Sequence, residues 1–222
     1  LSKKKIIIKT SRFRTINHRK FHKDLGGVIP EMAARQHLEI LDILGKSIKK
    51  INFSKISAIA ATFGPGLIGG LIVGSSFAKG LSISKNVKLV PINHLQAHLL
   101  SPRLVSEIKF PYLCLLVSGG NTALVLVKNS KSFITLGSTI DDSAGECFDK
   151  VAKGLGLGYP GGPEIEHLAL GGNIEKFKLP MPLTKKNNCD FSFSGLKTAA
   201  LNTIKNNKKT KLFLRDFSAS FQ

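Results

Sequence analysis

Cysteine is scarce in this 222-residue chain, and the three present, Cys114, Cys147 and Cys189, are odd in number and far apart. A disulfide scaffold needs dense, paired cysteines and a zinc knuckle needs a C-x-x-C pair, so reduced thiols in a cytoplasmic protein are expected. Acidic residues are scarce too, with 14 Asp and Glu against 33 Lys and Arg, for a formal net charge of +19. That excess is more than solubility requires and points to a polyanionic partner such as nucleic acid, although a Lys-rich proteome produces the same balance. After Lys3-Lys4-Lys5 only Ile6, Ile7 and Ile8 follow before polar residues resume, which is too short for a signal-peptide core. One run lacks charge altogether, from Ile56 to Ala78, and is long enough to cross a bilayer. Pro65 and five glycines break it into strand, turn and helix, so no membrane span is expected, even though Gly66, Gly70 and Gly74 share the spacing of membrane helix pairs.

What is there alternates between strand and helix. Residues 1–23 hold nine basic and no acidic residues and read as a basic leader. Pro30 and Glu31 announce a helix whose packed face is Ala34, Leu38, Leu41, Gly45 and Ile48. A buried strand over Ile56–Ala61, a helix over Leu67–Lys79 and a second strand over Lys88–Ile92 follow, with a short helix starting near Asn93. Tyr112–Val117 and Thr122–Val127 flank a Ser118-Gly119-Gly120-Asn121 turn and predict a hairpin. Asp141–Gly154 reads as helix, Gly154–Pro163 as a glycine-rich loop starting a helix at Glu164, and Ser194–Lys205 as a final amphipathic helix. This order predicts an α/β fold.

Four constellations have chemistry to offer. His94 and His98 stand four apart on one helical face, a spacing that lets two imidazoles reach one metal ion and that is more often met in surface or packing residues. Leu95 replaces the glutamate a zinc-protease helix requires, which argues against metalloprotease chemistry. The Ser118–Asn121 turn offers consecutive backbone N–H groups able to cradle phosphate oxygens, or is simply a tight turn. Asp142, Glu146 and Asp149 fall at steps of four and three, so three carboxylates share a helical face where they could hold a metal, bind a ribose or accept a proton; Glu146 with Lys150 and Asp149 with Lys153 are equally good structural pairs. The loop Gly154–Pro163 spends five glycines and two prolines on ten residues, permitting close ligand approach, but it is not a Walker loop.

Taken in order, Gly26-Gly27-Val28-Ile29-Pro30-Glu31, Gly64-Pro65-Gly66-Leu67, His94-xxx-His98, Val117-Ser118-Gly119-Gly120, Asp141-Asp142-Ser143-Ala144-Gly145-Glu146, Phe148-Asp149-Lys150, Tyr159-Pro160-Gly161-Gly162-Pro163 and Phe191-Ser192-Phe193-Ser194-Gly195-Leu196-Lys197-Thr198 resemble the bacterial tRNA N6-adenosine threonylcarbamoyltransferase (TsaD) family over about residues 23–206. The resemblance implies an α/β, actin-like (ASKHA, ribonuclease H-like) two-lobed ATPase fold, with a first lobe over 24–110 and the start of a second, carrying a helical insertion, over 111–222. It implies transfer of a threonylcarbamoyl group from threonylcarbamoyl-AMP to N6 of an adenosine beside the tRNA anticodon. His94 and His98 match the ligands of one iron or zinc ion. Leu116, Val117, Ser118, Gly119 and Gly120 match the hairpin that contacts the adenylate, Asp149 and Gly162 match nucleotide-binding positions, and Asp149 and Ser118 are the candidates for catalysis. Implied partners are tRNA, a paralogous actin-like dimerisation partner and a P-loop ATPase, in the cytoplasm and without a membrane. Against the family pattern, either Lys9–Thr15 replace an acidic opening loop or Leu1–Ser11 align with a later strand and that loop is absent; Asn121 replaces a histidine, and an Asp completing the metal site is expected past Gln222. The expectation is therefore a fold incomplete at both ends, either an active transferase or a remnant that binds nucleotide or tRNA without turnover.

Overall fold

A computed structural model describes residues 29–48, 51–184 and 187–222. The basic leader, the Lys9–Thr15 segment and the Gly26-Gly27-Val28 part of the first motif lie outside the described residues. The chain is mixed α/β with two small sheets.

Helix α1 (Pro30–Ile48) starts at the predicted proline, which lacks the N–H that a first turn leaves unsatisfied anyway. Of its expected packed face, Ala34, Leu41, Gly45 and Ile48 are half-buried and Leu38 is exposed, while Ala33 is buried beside it. Ala34 sets the close approach: a Cβ on Gly69 would lie 2.9 Å from the Ala34 Cβ, so small residues bring α1 against the next helix. Strand β1 (Ala58–Gly64) begins two residues after the predicted Ile56, which ends a short 3-10 turn over Phe53–Lys55. Helix α2 (Ile68–Lys85) runs past Gly80 and stops where Asn86 takes the left-handed conformation at φ 50°. Strand β2 (Lys88–Asn93) pairs parallel with β1, in register from Ala58 with Lys88 to Thr62 with Ile92. The uncharged run thus divides among a strand, a turn and part of a helix, and no helix among the described residues is long and apolar enough to cross a membrane.

Asn93 closes β2 and caps α3 (His94–Leu100), its Oδ1 accepting from the Gln96 N–H. A three-stranded antiparallel sheet follows, β3 (Tyr112–Val117), β4 (Thr122–Asn129) and β5 (Ser132–Ser138). Tyr112 donates its hydroxyl to the Leu99 carbonyl at 2.7 Å, tying α3 to β3, and Leu99 packs in one core with Leu116, Val125 and Val127.

Four helices build the second core: α4 (Ala144–Leu155), α5 (Gly161–Ala169), α6 (Ser194–Lys205) and α7 (Lys211–Phe221). Val151, Ile165, Phe213, Phe217 and Phe221 meet there, with Phe217 and Ile165 fully buried. Helix α4 starts three residues later than expected, because Ser143 caps it and leaves Asp141 and Asp142 outside. Its other end needs glycine: Gly156 at φ 85° lets the chain fold back so that the Leu157 N–H reaches the Ala152 carbonyl. Helix α5 begins at Gly161 rather than Glu164. Strand β5 and helix α7 were not anticipated, so Ser194–Lys205 is not the final helix.

Candidate functional site

The β3–β4 turn, the start of α4 and the start of α5 enclose a cleft of about 680 Å³. Val117, Ser118, Gly119, Asp149 and Gly162 line it, together with Gly145, Phe148, Tyr159 and Glu166. Leu116 faces the other way, into the core shared with Leu99 and Val125. Gly120 sits on the turn without lining the cleft.

Local hydrogen bonds hold this turn. Ser118 donates its N–H to the Asn121 carbonyl at 2.9 Å and accepts the Asn121 N–H on its hydroxyl at 3.1 Å. The Ser118 hydroxyl is therefore engaged in closing the turn. The N–H groups of Gly119 and Gly120 donate to no protein group among the described residues, and a Cβ on either glycine would meet nothing within 4 Å. Two adjacent donors with open space beside them suit an anionic ligand.

Asp149 bridges α4 to α5, accepting the Gly161 N–H on Oδ1 at 2.7 Å. Gly161 is packed too closely for any side chain, with a Cβ falling 2.5 Å from the Ala152 Cβ and 2.8 Å from the Phe148 carbonyl oxygen. Gly162, the next residue, has open space.

The three-carboxylate helical face does not form, because Asp142 precedes the Ser143 cap. Asp142 instead accepts from Lys197 of α6 and, at 3.0 Å, from Lys150, which also pairs with Glu146 at 2.6 Å. The Lys197 bond holds the Asp142 carboxyl below the usual carboxylate range, against burial and with help from Lys150. Burial raises the Asp141 carboxyl, but bonds from the Ser192 hydroxyl and the N–H groups of Phe193 and Ser194 outweigh it and its pKa falls. Asp141 thereby serves as an N-terminal cap for α6, which places the Phe191-Ser192-Phe193-Ser194 stretch beside α4. Burial, then the Asp142 charge, pushes the Cys147 thiol up to about 11, so it is an unreactive core residue.

On α3, His94 and His98 bring their Nε2 atoms to 3.3 Å, with both rings exposed. Two nitrogens bound about 2.0–2.1 Å from one tetrahedral zinc ion lie about 3.3–3.4 Å apart. The pair therefore has the separation a shared metal requires, and the donor set fits iron or zinc. Among the described residues no third His, Cys, Asp or Glu joins them in a metal-sized group.

Comparison with known proteins agrees with the motif order. A family model described as "TsaD: tRNA N6-adenosine threonylcarbamoyltransferase" matches residues 11–222. The protein of that name from Wolbachia pipientis wMel is 51% identical over 204 residues, covering 90% of this chain and 61% of the relative. The Rickettsia typhi protein is 52% identical over 207 residues, covering 90% and 53%, and the Gluconobacter oxydans protein 49% over 214 residues, covering 90% and 59%. The chain thus spans about three-fifths or less of the length of these curated relatives.

Proposed function

The chain belongs to the tRNA N6-adenosine threonylcarbamoyltransferase family, and from that premise we propose that it contributes the donor-binding cleft and the paired metal ligands of an enzyme modifying adenosine in tRNA. The observation that carries this reading is the convergence of Ser118, Gly119, Asp149 and Gly162 on one cleft, at a turn whose Gly119 and Gly120 N–H groups are unengaged among the described residues. The donor is threonylcarbamoyl-AMP. Its phosphate lies at the turn against the Gly119 N–H, Asp149 and Gly162 hold the nucleoside, and Ser118 acts by closing the turn that aims that donor.

In the reaction, N6 of the adenosine attacks the carbamoyl carbon, a C–N bond forms and the C–O bond to phosphate breaks. AMP leaves with the electron pair, and its phosphate takes the proton lost from the amine. His94 and His98 would hold one iron or zinc ion, which when bound supplies Lewis acidity toward a carbonyl oxygen. Orientation of donor and acceptor is the larger part of what the residues provide.

The same reading extends to an actin-like, two-lobed architecture, a cytoplasmic location, and assembly with a paralogous actin-like protein and a P-loop ATPase. The net charge of +19 supplies the salt-sensitive grip on tRNA phosphates. Complementation tests it: expression in bacteria depleted of the family enzyme should restore threonylcarbamoyladenosine in tRNA digests. Absence of the nucleoside, with the chain present and folded, would reduce its role to binding without transfer.

A further inference from the structure

The cleft is made of two parts that the chain reaches separately, the turn after β3 and the face of α4 that carries Asp149, and something has to fix one against the other. The Ser143 hydroxyl donates to the Gly119 carbonyl at 2.7 Å and accepts the Glu146 N–H at 3.2 Å, so a single side chain spans the turn and the first turn of α4. On the other arm of the hairpin, Thr122 accepts the Ala144 N–H on its hydroxyl at 2.9 Å. Both residues are buried, at 2% and 3% exposure, where water cannot replace the bonds. Gly145 removes the last obstacle, since a Cβ there would lie 2.6 Å from the Ser118 carbonyl oxygen.

Resting on the donor-cleft reading above, we propose that Ser143, assisted by Thr122, is the positioning residue of the phosphate turn. It holds the inner side of Gly119 by its carbonyl, so that the Gly119 N–H is kept at the cleft, at a fixed distance from Asp149, with the Gly120 N–H next to it on the turn. Ser143 touches no substrate atom and acts only through the turn.

Hydrogen exchange and AMP titration on the same samples test this. In Ser143→Ala, exchange of the Ser118 and Asn121 amides should rise about tenfold, while peptides from α6 and α7 keep wild-type rates. AMP affinity should fall three- to tenfold, and Ser143→Thr, which keeps the hydroxyl, should restore both. Unchanged exchange in the turn, or an equal rise in every peptide, overturns the proposal, as does failure of Ser143→Thr to rescue. Should Ser143→Ala not fold, Thr122→Val with Thr122→Ser as its control carries the same comparison. Wild-type protein that binds no AMP would refute the donor-cleft reading, while the exchange pattern would still decide whether Ser143 fixes the turn.

Discussion

His94 and His98 were recognisable from spacing because four residues is one helical turn, and the structure adds the 3.3 Å nitrogen separation that spacing alone leaves undefined. With two protein ligands among the described residues, zinc affinity should be weak, with a Kd in the micromolar range or above, and His98→Ala should abolish it. Calorimetry showing sub-micromolar zinc binding that survives His98→Ala would place the ligands elsewhere. Asp142 was misplaced for a specific reason: periodicity carried it into the helix, and the competing cap residue, Ser143, lies directly after it. Its folded pKa lies below the unfolded value of about 3.9, so its pairing with Lys197 contributes stability above about pH 4 and loses it as pH falls through the folded value. Asp142→Asn should cost about 1–2 kcal/mol at pH 7 and flatten the loss of stability below about pH 4, measured by urea unfolding across pH. An unchanged acid limb would show that other carboxylates govern it.

Among the elements, strong turn signals made the β3–β4 hairpin legible, whereas a strand defined by tertiary pairing was not, and α7 was overlooked despite its cap. The β3–β4 hairpin and α6 lie where sequence placed them, but β5 was missed although Phe133-Ile134-Thr135-Leu136 are strand formers, since among the described residues the segment pairs only with β4. Helix α7 had a readable signal, Thr210 as cap and Phe213, Phe217 and Phe221 at steps of four. The junction of α4 and α5 gives a matched pair of predictions. Gly161→Ala should destabilise by about 1–3 kcal/mol through overpacking against Ala152 and Phe148. Gly162→Ala should leave the melting temperature unchanged or slightly higher, since its Cβ meets nothing, yet weaken nucleotide binding if the ligand occupies that space. Thermal melts and AMP titrations of the two variants separate packing from binding.

Across the whole molecule, composition foretold a basic α/β protein and the motif order foretold the family, and much apolar surface stays open. Leu113, Leu115 and Val117 of β3 and Ile68, Ile72 and Ile83 of α2 are all more than half exposed. Apolar faces of this kind promote association, and the net charge of +19 opposes it at low salt. Raising salt from about 0.05 to 0.5 M, where the Debye length falls well below 10 Å, should therefore speed aggregation, and the melting midpoint should lie below about 60 °C. Light scattering that is insensitive to salt would show that charge is not what keeps copies apart. Whether the turn, Asp149 and Gly162 form one nucleotide site is decided by NMR titration with a hydrolysis-resistant threonylcarbamoyl-AMP analogue. A single site should give saturable shifts in the Gly119, Gly120, Gly161 and Gly162 amides with a common midpoint, weakened in Asp149→Ala; saturation that leaves all four unmoved would rule that site out.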